Sequence, residues 1–231
     1  MFAVLKKELK SYLLTPIGYV FIGLFLLLFS FLFFTSIYGA KVLNYEYLFY
    51  DGSTILTFVL PVITMGMFAE ERKQGTEQLI LTSPRSITGI VLGKFLSATI
   101  IMVITEVLLL VYYVILTFFG NPSLAVALNT LFGFLILTMG YIAFGMFASS
   151  LTDSQIVAYI ASVVFFMAMW ILPYAGIPIV SNFMAEVSLV EKFRNYIYGK
   201  LLISELISFV SFIVLFILLT ILSLQRRKSV K

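Results

Sequence analysis

Long stretches of this chain carry no charged side chain, among them those from Ser11 to Ala40 and from Val107 to Thr152. Crossing the roughly 30 Å hydrocarbon layer of a bilayer takes only about 20 apolar residues, so both stretches are long enough to enter a membrane. Over all 231 residues, 61% of the side chains are hydrophobic and 11% are charged, against about 45–50% and about 25% in soluble domains. Such a chain cannot cover its surface with polar groups, and membrane lipid must surround it.

The hydropathy pattern predicts an all-α polytopic membrane protein, because helices satisfy their own backbone hydrogen bonds in lipid. The whole chain, 1–231, is predicted to be one transmembrane domain. The apolar run that begins at Ser11 is too long for a secretory signal peptide, whose core has about 7–15 residues. Six transmembrane helices are predicted near Ile17–Tyr38, Gly52–Ala69, Leu92–Phe119, Leu124–Ala148, Gln155–Ile177 and Ile203–Leu224.

Residues 1–15 are predicted to form an amphipathic helix lying on the membrane surface. An unstructured basic segment that only sets orientation is the alternative, and Pro16 suits the start of the next helix. The apolar face of the predicted helix consists of Phe2, Leu5, Leu9 and Tyr12 or Leu13, and its polar face of Lys6, Lys7, Glu8 and Lys10.

The segment 178–202 is too polar to span a bilayer and too long for a turn. Apolar residues recur in it at helical spacing, with charged residues between them. This pattern predicts one or two short helices lying at the outer membrane interface before the sixth span. An ordinary external loop helix without a gating role is the alternative.

Lys and Arg are distributed unevenly between the two sides of the predicted membrane. With the N-terminus inside, eleven of the fifteen basic residues fall in cytoplasmic segments and four fall outside. Basic residues are enriched in cytoplasmic loops. The distribution therefore predicts a multi-pass protein of the cell (plasma) membrane with both termini in the cytoplasm.

Residues 70–88 form a polar interruption on the predicted cytoplasmic side. They contain charged residues, a break at Gly75 and a compact apolar group at 79–81 on a predicted short helix. An apolar group with a charged rim is typical of a helix that docks into a groove on a partner. A solvated loop that only anchors two spans is the alternative. The candidate docking residues are Glu70, Glu71, Arg72, Gly75, Thr76, Glu77, Leu79, Leu81, Ser83 and Pro84.

Glu106 is the candidate for lining a translocation path. It follows Lys94 by about a dozen residues, which places it near the middle of the membrane at about 1.5 Å per residue. A carboxylate at that depth usually faces protein or a water-filled cavity. A protonated or hydrogen-bonded Glu106 that holds helices together is an equally weighted alternative.

Composition excludes most enzymatic functions. The chain has no His and no Cys, so it lacks the side chains that most often bind transition metals or act as nucleophile and base. No catalytic motif is visible. The chain also lacks the basic face that nucleic-acid binding would need. An ion-coupled secondary transporter without an ATPase partner is the alternative function. It would favour paired ionisable residues in the membrane and an internal repeat, neither of which the sequence contains.

Residues 70–94 read EERKQGTEQLILTSPRSITGIVLGK. This stretch resembles the permease subunit of the ABC-2 type transporters in the order of its parts. These are an acidic pair, a basic pair, Gly-Thr, an acidic residue, an aliphatic run, Thr-Ser-Pro and a Leu-Gly-Lys that opens the next helix. The whole chain is similar to the smaller branch of that family, which includes the gliding-motility permeases. In the family this stretch is the cytoplasmic coupling segment between the second and third spans.

The resemblance implies an exporter that hydrolyses nothing itself. It implies that 70–88 is a coupling hairpin docked on a separate cytoplasmic ABC ATPase. Two ATPase copies would serve a pair of permeases, either a homodimer or a related heterodimer. ATP and Mg would be bound by the ATPase, and this chain would bind no cofactor.

Overall fold

The computed structural model describes residues 1–36, 45–77 and 86–230 of the chain. Within these ranges the protein is all-α, as predicted. The helices are α1 Phe2–Leu14, α2 Pro16–Thr35, α3 Tyr45–Thr64, α4 Gly66–Lys73, α5 Ile87–Thr117, α6 Leu124–Leu151, α7 Gln155–Ile171, α8 Pro178–Val187, α9 Leu189–Ile197 and α10 Ile203–Val230. A short 3-10 turn, Leu172–Tyr174, follows α7.

Six segments are long and apolar enough to cross a membrane, which confirms the predicted number. They are Gly18–Thr35, Tyr45–Lys73, Ile87–Thr117, Leu124–Leu151, Gln155–Tyr174 and Ile203–Lys228.

The largest differences from the predicted span boundaries occur at the start of the second span and at the end of the fifth. The second span begins at Tyr45, well before the predicted Gly52, because Tyr45, Leu48 and Phe49 are buried against the protein and continue the helix. The fifth span ends at Ile171 as an α-helix, short of the predicted Ile177. Pro173 lies in the 3-10 turn that follows, and proline cannot donate the backbone hydrogen bond that an α-helix needs.

Helix α6 forms the centre of the fold. In the most apolar 18-residue windows, 72% of the α6 residues and 67% of those in the second span are buried, against 22% in each of α2, α7 and α10. The outer helices therefore present most of their surface to lipid or to another chain. A group of buried rings joins α2, α3 and α6, in which Phe49 lies 5.1 Å from Phe29 and 5.0 Å from Phe134 between ring centroids.

Glycines on α6 let its neighbours approach closely. A Cβ added at Gly145 would lie 2.2 Å from Thr64 Oγ1 on α3, and one at Gly133 would lie 2.6 Å from the Tyr196 ring on α9. Small residues allow membrane helices to pack backbone against side chain in this way. The contacts of α6 with α3 and α9 therefore depend on these two positions.

The N-terminal helix α1 packs against α5 with a face that coincides only in part with the predicted apolar face. Val4 is buried and lies against Gly93, whereas Phe2 is exposed. Glu8, predicted on the polar face, points toward the protein and reaches Lys94. The prediction of a helix was confirmed. Leu9 and Tyr12 of the predicted apolar face pack against the core, while Val4 and Glu8 face the protein beside them.

The segment before the last span forms two helices, α8 and α9, in agreement with the prediction. Helix α9 runs alongside α6. Leu189 at one end of α9 contacts Gly140, and Tyr196 near the other end contacts Gly133. The Asn129 amide also donates a 2.7 Å hydrogen bond to the Tyr196 carbonyl. The apolar stripe of α9 is thus buried on protein.

Candidate functional site

The helix that leads into the candidate coupling segment is broken between α3 and α4, where a side chain from α6 bridges the break. Ser149 Oγ donates to the Met65 carbonyl at 2.8 Å and accepts from the Phe68 and Ala69 amides, both at 3.0 Å. Pro61 lies one turn earlier. A hydroxyl inserted into the backbone hydrogen-bond ladder is one of the recognised causes of a helix break. Ser149 thereby attaches the α3–α4 junction to α6.

Arg72, at the end of α4, is fastened to the C-terminal end of α6. Its guanidinium donates to the Ser150 carbonyl at 2.9 Å and to the Thr152 carbonyl at 2.7 Å. It also contacts Glu77 Oε1 at 3.1 Å and Asp153 Oδ1 at 3.1 Å. The Arg72 side chain is only 7% exposed. A planar guanidinium with five donors can serve all of these acceptors at once, which an ammonium could not.

Arg227 and Ser223 of α10 bind the same end of α6. Arg227 donates to the Leu151 carbonyl at 3.1 Å, and Ser223 Oγ donates to the Ser150 carbonyl at 3.3 Å. The last carbonyls of a helix have no partner within the helix and carry partial negative charge. Two arginines from different helices supply that end of α6 with donors. As a result α4, α6 and α10 meet at one point.

Lys94 forms a second junction on the other side of α4. Its buried Nζ lies 2.8 Å from Glu71 Oε1 and 3.2 Å from Glu8 Oε1. The same nitrogen lies 5.3 Å from the centroid of the Phe68 ring, a cation–π distance. Lys94 therefore joins α1, α4 and α5, and two carboxylates and one ring stabilise its charge.

An open cavity of about 330 Å³ lies beside Lys94, between α1 and the α3–α4 junction. Its lining includes Tyr12, Glu70, Gln74 and Gln155. Burial, reinforced by the nearby carboxylates of Glu8, Glu71 and Glu70, raises the pKa of Tyr12 far above its ordinary value. Tyr12 forms part of the cavity wall.

The chain turns sharply after α4, as the sequence predicted. Gly75 has a φ of 72°, a left-handed conformation that glycine adopts without the cost that other residues incur. Thr76 Oγ1 then donates to the Glu71 carbonyl at 3.0 Å. This turn directs Glu77 back toward Arg72, and Glu77 is 8% exposed.

The predicted docking residues divide into two groups. Glu70, Glu71, Arg72, Gly75, Thr76 and Glu77 lie together at the end of α4. Leu79, Leu81, Ser83 and Pro84 lie outside the described residues. The charged rim was predicted to face a partner, yet Arg72 and Glu77 face other parts of this chain. Backbone carbonyls of α6 accept hydrogen bonds from Arg72, and Arg72 in turn pairs with Glu77. Those carbonyl acceptors could not be recognised from the sequence.

Sequence reasoning missed several residues of this region. Glu8 was assigned only to the polar face of the N-terminal helix, and Lys94 only to the family motif and to the depth of Glu106. No role was assigned to Arg227 or Ser149. One usable signal was present, because Ser149 follows Gly145 by four residues. That spacing of small residues marks the close-packing face of a membrane helix.

Glu106 lies apart from these two junctions, about twelve residues further along α5 than Lys94, or about 18 Å along the helix. It is 6% exposed, and the Thr138 side chain of α6 neighbours its carboxyl group. Oε1 of Glu106 has no hydrogen-bond partner among the residues that the structure describes. The carboxyl group therefore sits between helices inside one protomer.

Comparison with known families identifies the chain. The model of the ABC-2 family transporter protein matches residues 2–228, nearly the whole sequence. No curated protein matches the chain. The narrower resemblance to the gliding-motility permeases stays a prediction. The match over almost the entire length agrees with the all-α, six-span fold, and it shows that the chain belongs to the ABC-2 transporter family as a multi-pass membrane permease subunit of an ABC transporter.

Proposed function

We propose that this permease is an exporter subunit driven by a separate cytoplasmic ABC ATPase, and that residues 70–88 form the coupling hairpin. The observation that carries the proposal is the position of Arg72. It lies at the end of α4, immediately before the hairpin turn, and contacts the end of α6 through the Ser150 and Thr152 carbonyls. Force applied to the hairpin would therefore reach the most buried helix of the fold.

The second junction supports the same role. Glu71 pairs with Lys94 on α5, and Lys94 also pairs with Glu8 on α1. With Ser149 holding the α3–α4 break, α4 is attached to α1, α3, α5 and α6 by side-chain contacts. Protein interiors are close-packed and transmit displacements rather than absorbing them. A movement of α4 would thus shift several spans together.

The assembly that we propose contains two permease copies, identical or related, and two ATPase subunits that bind ATP and Mg. The exposed apolar sides of α2, α7 and α10 offer surface for a second copy as well as for lipid. The excess of basic residues on the hairpin side favours both termini in the cytoplasm of a plasma-membrane protein. Residues 1–15 would lie at the inner surface and 178–202 toward the outer side. Glu106 would line or border the translocation path.

Co-purification tests the docking step. The tagged permease is expressed with candidate ABC ATPases from the same genome, and the bound ATPase is quantified. We expect Leu79→Ala and Leu81→Ala to reduce capture, since interface energy is concentrated in a minority of central contacts. Lys73→Ala is the matched control because Lys73 is exposed at the end of α4. Normal capture by both leucine variants would contradict docking through the hairpin.

Substitutions of Arg72 distinguish binding of the ATPase from regulation of its activity. We expect Arg72→Ala to retain the ATPase but to lose the regulation of ATP hydrolysis by the permease, measured on the complex in nanodiscs. Arg72→Lys keeps the charge but not the multiple donors, and should be intermediate. If the purified permease transports a cargo in liposomes that contain no ATPase, an ion-coupled mechanism replaces this proposal.

A further inference from the structure

A polar pocket of about 350 Å³ opens between α8, α9 and the start of α10, far from the candidate coupling region. That volume lies within the range of small-molecule sites, about 300–1,000 Å³. All but one of the side chains that line it are polar. They include Glu186 from α8, Glu191, Lys192 and Asn195 from α9, and Ser204 and Glu205 from α10.

Glu205 is the unusual member of this pocket. It is 8% exposed, so more than nine-tenths of the residue is buried. Its Oε1 accepts a hydrogen bond from the Asn195 amide, another residue of the pocket wall. Its Oε2 has no partner within the described part of the chain. A buried acceptor without a donor costs free energy, and a ligand that brings an N–H group would remove that cost.

The net charge of the pocket indicates whether the hydrogen-bond donor of a ligand should be charged or neutral. Three carboxylates face one ammonium, that of Lys192. Glu191 already has partners, since Tyr174 Oη donates to its Oε1 at 2.5 Å and Arg194 lies 3.7 Å from its Oε2. Glu186 and Glu205 therefore leave the pocket with excess negative charge. A cationic ligand complements it better than a neutral sugar or an anion.

The arrangement fits an organic cation better than a metal ion. Among the residues that the structure describes, no three acidic side chains are placed to hold one metal ion. The carboxylates of Glu186 and Glu205 instead come from different helices around an open volume. An ammonium group has several N–H donors, so it can pair with the free Glu205 oxygen and with a serine hydroxyl or second carboxylate at once.

We propose that this pocket binds a primary ammonium group, carried either by a free amine or by the headgroup of phosphatidylethanolamine. Glu205 accepts the principal charge-assisted hydrogen bond, Asn195 orients the Glu205 carboxylate, and Glu186 supplies further negative charge at the entrance. This binding activity goes beyond the proposed ATPase-driven transport and does not depend on it. Failure of ATPase docking would leave the pocket proposal untouched.

Calorimetry on the full chain in phosphatidylcholine nanodiscs tests the proposal, with spermidine as the free amine and maltose as a neutral control of polar character. Phosphatidylcholine carries no N–H donor, so its headgroup cannot replace the ligand. We expect spermidine to bind and maltose not to bind. Loss of one charge-assisted hydrogen bond in Glu205→Gln should weaken spermidine binding at least about tenfold.

Glu205→Gln changes a buried residue and could prevent folding. Glu186→Gln is therefore the second test variant, because Glu186 is exposed. It should fold normally and weaken binding severalfold. Glu46→Gln is the matched control, since Glu46 lies in the first turn of α3 and outside the pocket. Unchanged binding in both pocket variants, or an equal loss in the Glu46 variant, would overturn the proposal.

Nanodiscs that contain phosphatidylethanolamine distinguish the two sources of the ammonium group. If the lipid headgroup occupies the pocket, spermidine binding should weaken in these discs, and Glu205→Gln should abolish the difference between the two lipids. If the ligand is a free amine, affinity should be the same in both. Absence of spermidine binding together with equal thermal stability in both lipids overturns the assignment, as does displacement of spermidine by equimolar Ca²⁺.

Discussion

Lys94 Nζ lies 2.8 Å from Glu71 Oε1, although the two residues belong to different helices, α4 and α5, which lie before and after the turn at Gly75. The Lys94 side chain is 4% exposed and that of Glu71 is 17% exposed. Glu8 provides a second carboxylate to the same ammonium group at 3.2 Å. The pair therefore connects α4 with α5, and Lys94 connects both of them to the N-terminal helix α1.

Removing one member of the Lys94–Glu71 pair should destabilise the protein more than removing both. Lys94→Met leaves the Glu71 carboxylate without its cation, whereas Glu8 keeps Lys7 at 3.7 Å. Breaking a buried pair costs more than replacing it. We expect a coupling free energy on the order of 0.5–3 kcal/mol between Lys94→Met and Glu71→Gln. The measurement is a double-mutant cycle of thermal or denaturant unfolding in detergent. Strictly additive effects would show that the pair contributes nothing.

Ser149→Ala should destabilise the α3–α4 junction by about 1–3 kcal/mol, because the Phe68 and Ala69 amides and the Met65 carbonyl lose a buried partner. Ser150→Ala is the control, since its hydroxyl donates only to the Phe147 carbonyl within the same helix. Unfolding of the two variants in the same detergent gives the comparison. Equal stability of both would mean that the inserted hydroxyl is energetically unimportant.

Gly145→Ala should separate α3 from α6, because the new Cβ would lie 2.2 Å from Thr64 Oγ1. Overpacking of this kind costs about 1–3 kcal/mol. Gly23→Ala, in α2, meets no atom within 4 Å and should be neutral or stabilising by up to about 1 kcal/mol through helix propensity. Thermal unfolding distinguishes the two. A Gly145→Ala protein as stable as the Gly23→Ala protein would refute the close contact.

Glu106→Leu should leave stability unchanged or increase it, because the substitution removes a buried oxygen without a partner in the described chain. If Glu106 borders the translocation path, the same variant should alter the ATP hydrolysis of the assembled complex. Glu106→Gln, which keeps the shape and polarity, should have the smaller effect. A Leu variant with unaltered hydrolysis and transport would eliminate Glu106 as a functional residue.

Single cysteines test the orientation, since the native chain has none. In intact cells, an impermeant thiol reagent should label Gly120→Cys, in the connection between α5 and α6, but not Lys6→Cys. Permeabilised cells provide the control for accessibility, because both positions are exposed in the structure. Labelling of Lys6→Cys alone would reverse the topology and remove the hairpin from the ATP-containing side.

The sequence by itself determined the number of spans, the all-α class and the turn at Gly75. Each of these depends on local properties. A run of about 20 apolar residues partitions into lipid whatever surrounds it, and a left-handed turn favours glycine by its own sterics. The two short helices before α10 followed from periodicity in the same way.

Tertiary structure decided how those helices are rotated and what their polar groups contact. The acceptors of Arg72 at Ser150 and Thr152 are about 80 residues away in the chain, and Glu8 is 86 residues from Lys94. Their pairing exists only because α6 and α3 approach closely at Gly145 and because α1 lies along α5. Hydrophobic periodicity indicates which face of a helix is apolar, but a buried ion pair or a backbone carbonyl at a helix end can draw a charged side chain inward. Glu8, Arg72 and Glu77 therefore face the protein, where the sequence alone placed them outside.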